Sequence, residues 1–184
     1  PQCCIAIDPF VNGNPGGDAS NAYPNLTAYY TDKYQRSSSN IVFENCAFRK
    51  SNFGVVISPS GPVGGVDVIG NSENFYFKNC FFEYNRVHYS TGQSQARANN
   101  LFSPRMIGSW IAIDTELVGP GGNQGVAPTL SGAPNFGGCK YVFNINTRNQ
   151  VFDASSCYFE SIASLGRIDF GVGGLGARFS SCSI

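Results

Sequence analysis

Carboxylates are the first residues to weigh for chemistry in this chain. It has 184 residues, with 12 Asp plus Glu, 12 Lys plus Arg, one His and seven Cys. Cleavage of a glycosidic bond needs two carboxylates about 5 to 10 Å apart. The string Ile-Ala-Ile-Asp occurs twice, at Ile5 to Asp8 and at Ile111 to Asp114. It offers Asp8 and Asp114 at matching strand positions, both outward if the isoleucines point in. On a stack of layers about 4.8 Å apart, their sequence separation places them on the order of 15 to 20 Å from each other. They are poor partners for one bond, and each reads better as a cap for a nearby amide or a bend. Asp67, Glu73, Glu83, Glu116, Asp153, Glu160 and Asp169 show no pairing by spacing, although Asp67 and Glu83 lie on successive segments. No catalytic set is identified.

The other reactive side chains are equally plain. Cys3, Cys4, Cys46, Cys80, Cys139, Cys157 and Cys182 form no CxxC, and His88 has no cysteine near it in sequence. The spacing therefore gives no metal site, and no cofactor motif stands out. Gly171-Val-Gly-Gly-Leu-Gly176 reads as a turn between strands. Cysteines inside apolar strings behave as small buried hydrophobes, with one or two disulfides as the alternative. Cys3 and Cys4 face opposite sides of a strand and do not bond each other.

Three polar stretches read as long loops, at roughly Asn12 to Asn40, Tyr84 to Ser109 and Val118 to Gly138. Rings paired with amide and guanidinium donors suit sugars, whose apolar faces stack while their hydroxyls take hydrogen bonds. Tyr29, Tyr30 and Tyr34 in the first loop, and His88, Tyr89 and Arg97 in the second, are the candidate glycan contacts. The competing role for these rings is to staple loops to the protein wall or to pack between subunits.

The elements that would position them follow from an internal repeat. Ile41-Val-Phe-Glu-Asn-Cys-Ala-Phe48, Phe75-Tyr-Phe-Lys-Asn-Cys-Phe-Phe82, Phe152-Asp-Ala-Ser-Ser-Cys-Tyr-Phe159 and Ala177-Arg-Phe-Ser-Ser-Cys-Ser-Ile184 share one frame. In the first, Ile41 and Phe43 have one strand parity and Cys46 and Phe48 the other. Both pairs point inward only if the chain bends at Glu44-Asn45. Asn tolerates the left-handed conformation such a bend requires. Equivalent bends fall at Lys78-Asn79, Ser155-Ser156 and Ser180-Ser181. Glu44 and Lys78 should then stack as an exposed ion pair. The repeat period suits a solenoid, and no helical pattern intervenes. The expected fold is all-β, a parallel β-helix with long loop insertions, in preference to a sandwich or jelly roll.

Asn-Ile-Val-Phe-Glu-Asn-Cys-Ala-Phe and Asn-Phe-Tyr-Phe-Lys-Asn-Cys-Phe-Phe resemble coils of the right-handed parallel β-helix, pectate-lyase-like superfamily. Asn45 and Asn79 sit where that superfamily stacks an asparagine ladder. The low charge and the wealth of Asn, Ser, Gly and rings resemble bacteriophage tailspike and tail-fibre proteins. So do Ile5-Ala-Ile-Asp-Pro-Phe10 and Phe159-Glu-Ser-Ile-Ala-Ser-Leu-Gly-Arg167. The resemblance implies a virion attachment protein and a homotrimer, with host surface polysaccharide and other virion proteins as partners. The Asn-Thr-Asp, Asp-Asp and Gly-His-Gly motifs of polygalacturonases and the acidic cluster of pectate lyases have no match here. A polysaccharide-degrading hydrolase or lyase, or a non-viral secreted adhesin, is the alternative. A formal net charge of zero gives no general field for nucleic acid. Apolar stretches such as Gly54 to Ile57 are too short to span a bilayer. Residues 1–184 read as a single segment with strand strings at both ends and no cap, which implies a longer chain.

Overall fold

The computed structural model describes residues 3–7, 39–57, 61–63, 66–68, 73–91, 98–117, 126–147, 151–170 and 176–184. Among them the regular structure is entirely β. After β1 (Cys3–Ile7), the chain makes five three-strand circuits, here called coils. The first holds β2 (Ser39–Glu44), β3 (Ala47–Arg49) and β4 (Phe53–Ile57). A small antiparallel hairpin, β5 (Gly61–Val63) with β6 (Val66–Val68), precedes the second coil. That coil is β7 (Glu73–Lys78), β8 (Phe81–Glu83) and β9 (Val87–Thr91). The third is β10 (Asn100–Phe102), β11 (Arg105–Ile107) and β12 (Ile111–Asp114). The fourth is β13 (Thr129–Ser131), β14 (Asn135–Gly137) and β15 (Tyr141–Asn146). The fifth is β16 (Val151–Ser155), β17 (Tyr158–Glu160) and β18 (Ser164–Asp169), and β19 (Gly176–Ser180) opens a sixth.

Every third strand pairs in parallel with its counterpart in the next coil. Sheet 1 runs β2-β7-β10-β13-β16-β19, sheet 2 runs β3-β8-β11-β14-β17, and sheet 3 runs β1-β4-β9-β12-β15-β18. Three stacked parallel sheets visited in rotation are compatible with a parallel β-helix.

The bends between sheets 1 and 2 occur where strand parity requires them. Asn45, Asn79, Ser156 and Ser181 have φ of 56°, 52°, 56° and 54°, and Ser103 continues the column at 49°. One left-handed residue redirects the chain so that apolar side chains on both arms face inward. A second column of left-handed residues, Lys50, Tyr84, Gly108, Gly138 and Ser161, turns sheet 2 into sheet 3. Inside, like side chains stack coil upon coil. Phe43 lies on Phe77 with centroids 4.8 Å apart, Phe48 on Phe82 at 4.9 Å, and Phe136 on Phe159 at 5.4 Å. These separations match the spacing of neighbouring strands, about 4.8 Å, so stacking and the backbone ladder support the same register.

Three sequence expectations change. The stretch Tyr84 to Ser109, expected as a loop, carries β9, β10 and β11. Val118 to Gly138 likewise contains β13 and β14. Both were obscured because Pro104 and Pro134 stand where the other coils have Cys. Asn135 N donates to the Pro104 carbonyl and Tyr158 N to that of Pro134, as Phe81 N does to Cys46. Finally, the two Ile-Ala-Ile-Asp strings are offset by two residues. Ala6 pairs with Val56, Val56 with Ser90, and Ser90 with Asp114, so the register aligns Asp114 with Ala6, and Asp8 lies outside the described residues.

Candidate functional site: a cation and ring corner

Tyr29, Tyr30, Tyr34 and Arg97 lie outside the described residues. His88 and Tyr89 are inside the stack with no exposed surface. Tyr89 follows the inward parity of Val55 and Ile113 and sets its ring edge-on to Phe77 at 5.9 Å. Burial pushes its phenol up, with Asn99 partly opposing. His88 Nδ1 lies 3.1 Å from the Asn85 amide nitrogen, which also donates to the Phe48 carbonyl at 2.9 Å. Burial holds the imidazole down at about 3, with only the Ile107 backbone opposing. Neither side chain reaches a ligand at the surface.

Most of the described carboxylates are occupied as well. Asp114 is fully buried; it accepts from Ser90 Oγ at 2.6 Å, Asn144 Nδ2 at 2.7 Å and Leu117 N at 3.0 Å. Burial raises its pKa, and the Ser90, Asn144, Leu117 and Glu116 donors pull the other way. Two residues on, Glu116 accepts from Asn146 Nδ2 at 2.7 Å and pairs with Arg167 at 3.3 Å, which also holds Asp169 at 2.8 Å. The group has the residue types of an acid–base pair, but Asp114 is sealed and its oxygens are taken. It fits the role of a staple across three coils, Ser90 to Asp114 to Asn144, with Glu116 holding Arg167 of the next. Glu44 and Lys78 form the expected exposed pair at 2.7 Å, Glu83 pairs with Arg49 at 2.8 Å, and Asp153 pairs with Arg178.

The cations without an ion pair are more informative. Among the described residues, Lys50, Arg86, Arg105 and Lys140 have none. All four fall on sheet 2 or on the corner where it turns into sheet 3. Backbone bonds from Trp110 N to the Arg86 carbonyl, and from Tyr141 N to the Trp110 carbonyl, tie this corner's successive coils together. Arg86, Trp110 and Lys140 therefore form one outward column on consecutive coils, two steps of about 4.8 Å. Lys140 Nζ sits 3.5 Å from the centre of the Trp110 ring, and Tyr141 meets that ring edge-on at 6.1 Å. Trp110 is 51% exposed and Tyr84 is 64% exposed.

Glycine makes room for these rings. Gly108 has φ +67°, and a β-carbon there would come within 2.9 Å of the Tyr84 ring. At Gly137 and Gly138, one coil further, a β-carbon would meet nothing closer than 3.8 Å. The outer face of sheet 2 continues the surface with the column Phe81, Arg105, Asn135 and Tyr158. Phe81 is 37% and Tyr158 45% exposed.

This surface escapes a reading of polar loops because its residues come singly, one per coil, from the bends. The available signal was spacing. Trp110, the one Trp of the chain, sits two residues past Gly108 just as Arg86 sits two past Tyr84 and Lys140 two past Gly138. No family model, no curated protein and no solved structure matches the chain.

Proposed function

We propose that this chain is part of a right-handed parallel β-helix attachment protein, similar to phage tailspikes, whose corner between sheets 2 and 3 grips host surface polysaccharide. The hand follows from the strong preference of parallel crossovers for the right-handed connection. The observation that carries the functional reading is the exposed Arg86–Trp110–Lys140 column beside Tyr84 and the bare Gly137–Gly138 backbone. Exposed rings offer stacking faces to sugar rings. Unpaired guanidinium and ammonium groups favour glycans that bear carboxylates, because an arginine can hold a carboxylate bidentately. Repetition along a rigid ladder suits a polymer with a repeated unit better than a compact ligand. A homotrimer and assembly with other virion proteins belong to the same proposal, and rest on the resemblance alone.

The reading is tested by equilibrium binding of acidic surface polysaccharides to the wild type, Trp110→Ala and Lys140→Ala. Loss of the ring contact should weaken binding by roughly tenfold, the scale of a good aromatic contact. Thermal stability should barely move, because the side chain is half exposed. Equal binding by all three proteins would remove the corner from the account. Release of new reducing ends or unsaturated sugars during the same incubation would favour a degrading enzyme instead.

A further inference from the structure

The thiols of the repeat occupy one column, and their order along it is uneven. Backbone bonds stack Cys46, Cys80, Pro104, Pro134, Cys157 and Cys182 at the same bend of successive coils, with Phe81 N on the Cys46 carbonyl at 2.8 Å and Ser183 N on that of Cys157 at 2.9 Å. Cysteines thus face each other only between the first two and the last two coils. Stacked in-register residues lie about 4.8 Å apart, inside the range of α-carbon separations that a disulfide spans. One thiol of each pair also leans across to its partner's coil. Cys80 Sγ reaches down to the Phe43 carbonyl of the coil beneath at 3.4 Å, and Cys182 Sγ to that of Ala154 at 3.7 Å. Each pair joins a partly exposed cysteine, Cys46 or Cys182, to a buried one on the next coil inward among those described, Cys80 or Cys157.

We propose that Cys46 with Cys80, and Cys157 with Cys182, are two sites of intrachain disulfide formation by exchange with a small disulfide such as oxidised glutathione. The exposed thiolate attacks one glutathione sulfur, forming a mixed disulfide and expelling one glutathione thiolate. The buried partner then attacks the protein sulfur of that mixed disulfide, expelling the second glutathione. Two protein thiols lose two electrons and two protons, and glutathione disulfide gains them as two thiols. Either bond would pin an outer one of the described coils to its neighbour in the stack. The inference does not depend on the glycan reading.

The wild-type protein, incubated with oxidised glutathione, is quenched, digested without reduction and mapped by mass spectrometry. The expected products are a Cys46–Cys80 peptide pair and a Cys157–Cys182 peptide pair, each lighter by two hydrogens. Cys139 serves as an internal control, since the residues above and below it in its column are Ile162 and Ser109, and it should stay a thiol. Amide exchange in β2 and β19 should slow by on the order of tenfold or more after oxidation. In Cys46→Ser, only the first pair should disappear from the map. Glutathione adducts persisting on Cys46 and Cys182 would overturn the proposal, as would Cys80 and Cys157 remaining free after the exposed Cys4 is modified.

Discussion

His88 and Asp114 carry opposite linkages to pH, although each is merely a buried group in a strand. The native imidazole stays neutral down to about 3, against 6.5 when unfolded. Below 6.5 the unfolded chain takes a proton that the native state refuses, so His88's full contribution exists above that pH and is lost as pH falls toward 3. Between pH 6.5 and 4.5 this amounts to up to about 2–3 kcal/mol. Asp114 works against it. Its native pKa lies above the unfolded 3.8, so its cost is greatest at neutral pH and is relieved on acidification. Urea melts at pH 7 and 4.5 should show lower stability at 4.5 for the wild type. His88→Gln should flatten that difference and Asp114→Asn should steepen it. An unchanged pH profile in His88→Gln would place the ring in water. The burial of His88 and Tyr89 could not be read from residue type, since neighbouring strand residues ordinarily face opposite ways and here both are enclosed.

Bends, more than strands, decide how the elements are arranged. Each circuit has a left-handed residue after its sheet 1 strand, and Asn, Ser or Gly takes that position because few others do so at low cost. Asn79→Ala is expected to destabilise by about 1 kcal/mol, while Asn79→Gly should be nearly neutral, as read from denaturant midpoints. Close approach sets a second limit. A β-carbon at Gly54 would lie 2.5 Å from the His88 carbonyl oxygen, so Gly54→Ala should cost at least about 2 kcal/mol by forcing β4 and β9 apart. The Cys-centred frame exposed four circuits in the sequence because its apolar spacing and its cysteine coincide. Leu101-Phe-Ser-Pro-Arg-Met106 keeps the spacing but loses the cysteine, and Leu130 to Phe136 is one residue longer as well. A frame anchored on the cysteine misses both and leaves them as loops. Spacing between inward residues was the sounder signal, since it is what the stack itself enforces.

Over the whole molecule, the stack converts single residues on separate coils into columns. Interior columns are apolar and include aromatic stacks; the Asp114 column cross-links coils by hydrogen bonds; the corner column presents Arg86, Trp110 and Lys140 outward. The sequence displayed the repeat but not this juxtaposition, because residues 24 and 30 positions apart become neighbours only once every coil is placed. The corner's unpaired cations sit on a chain of zero net charge, so attraction is confined to that strip. Binding there should weaken with added salt, with a slope set by the few cations contacted.

Trp110 is the chain's single tryptophan, so its fluorescence reports the corner directly. Titration of the wild-type protein with an acidic surface polysaccharide should give a saturable change in emission that a neutral polymer such as dextran does not produce. Binding demonstrated by sedimentation with no change in Trp110 emission, or no binding by any acidic polysaccharide tested, would contradict the assignment of this corner as the gripping surface.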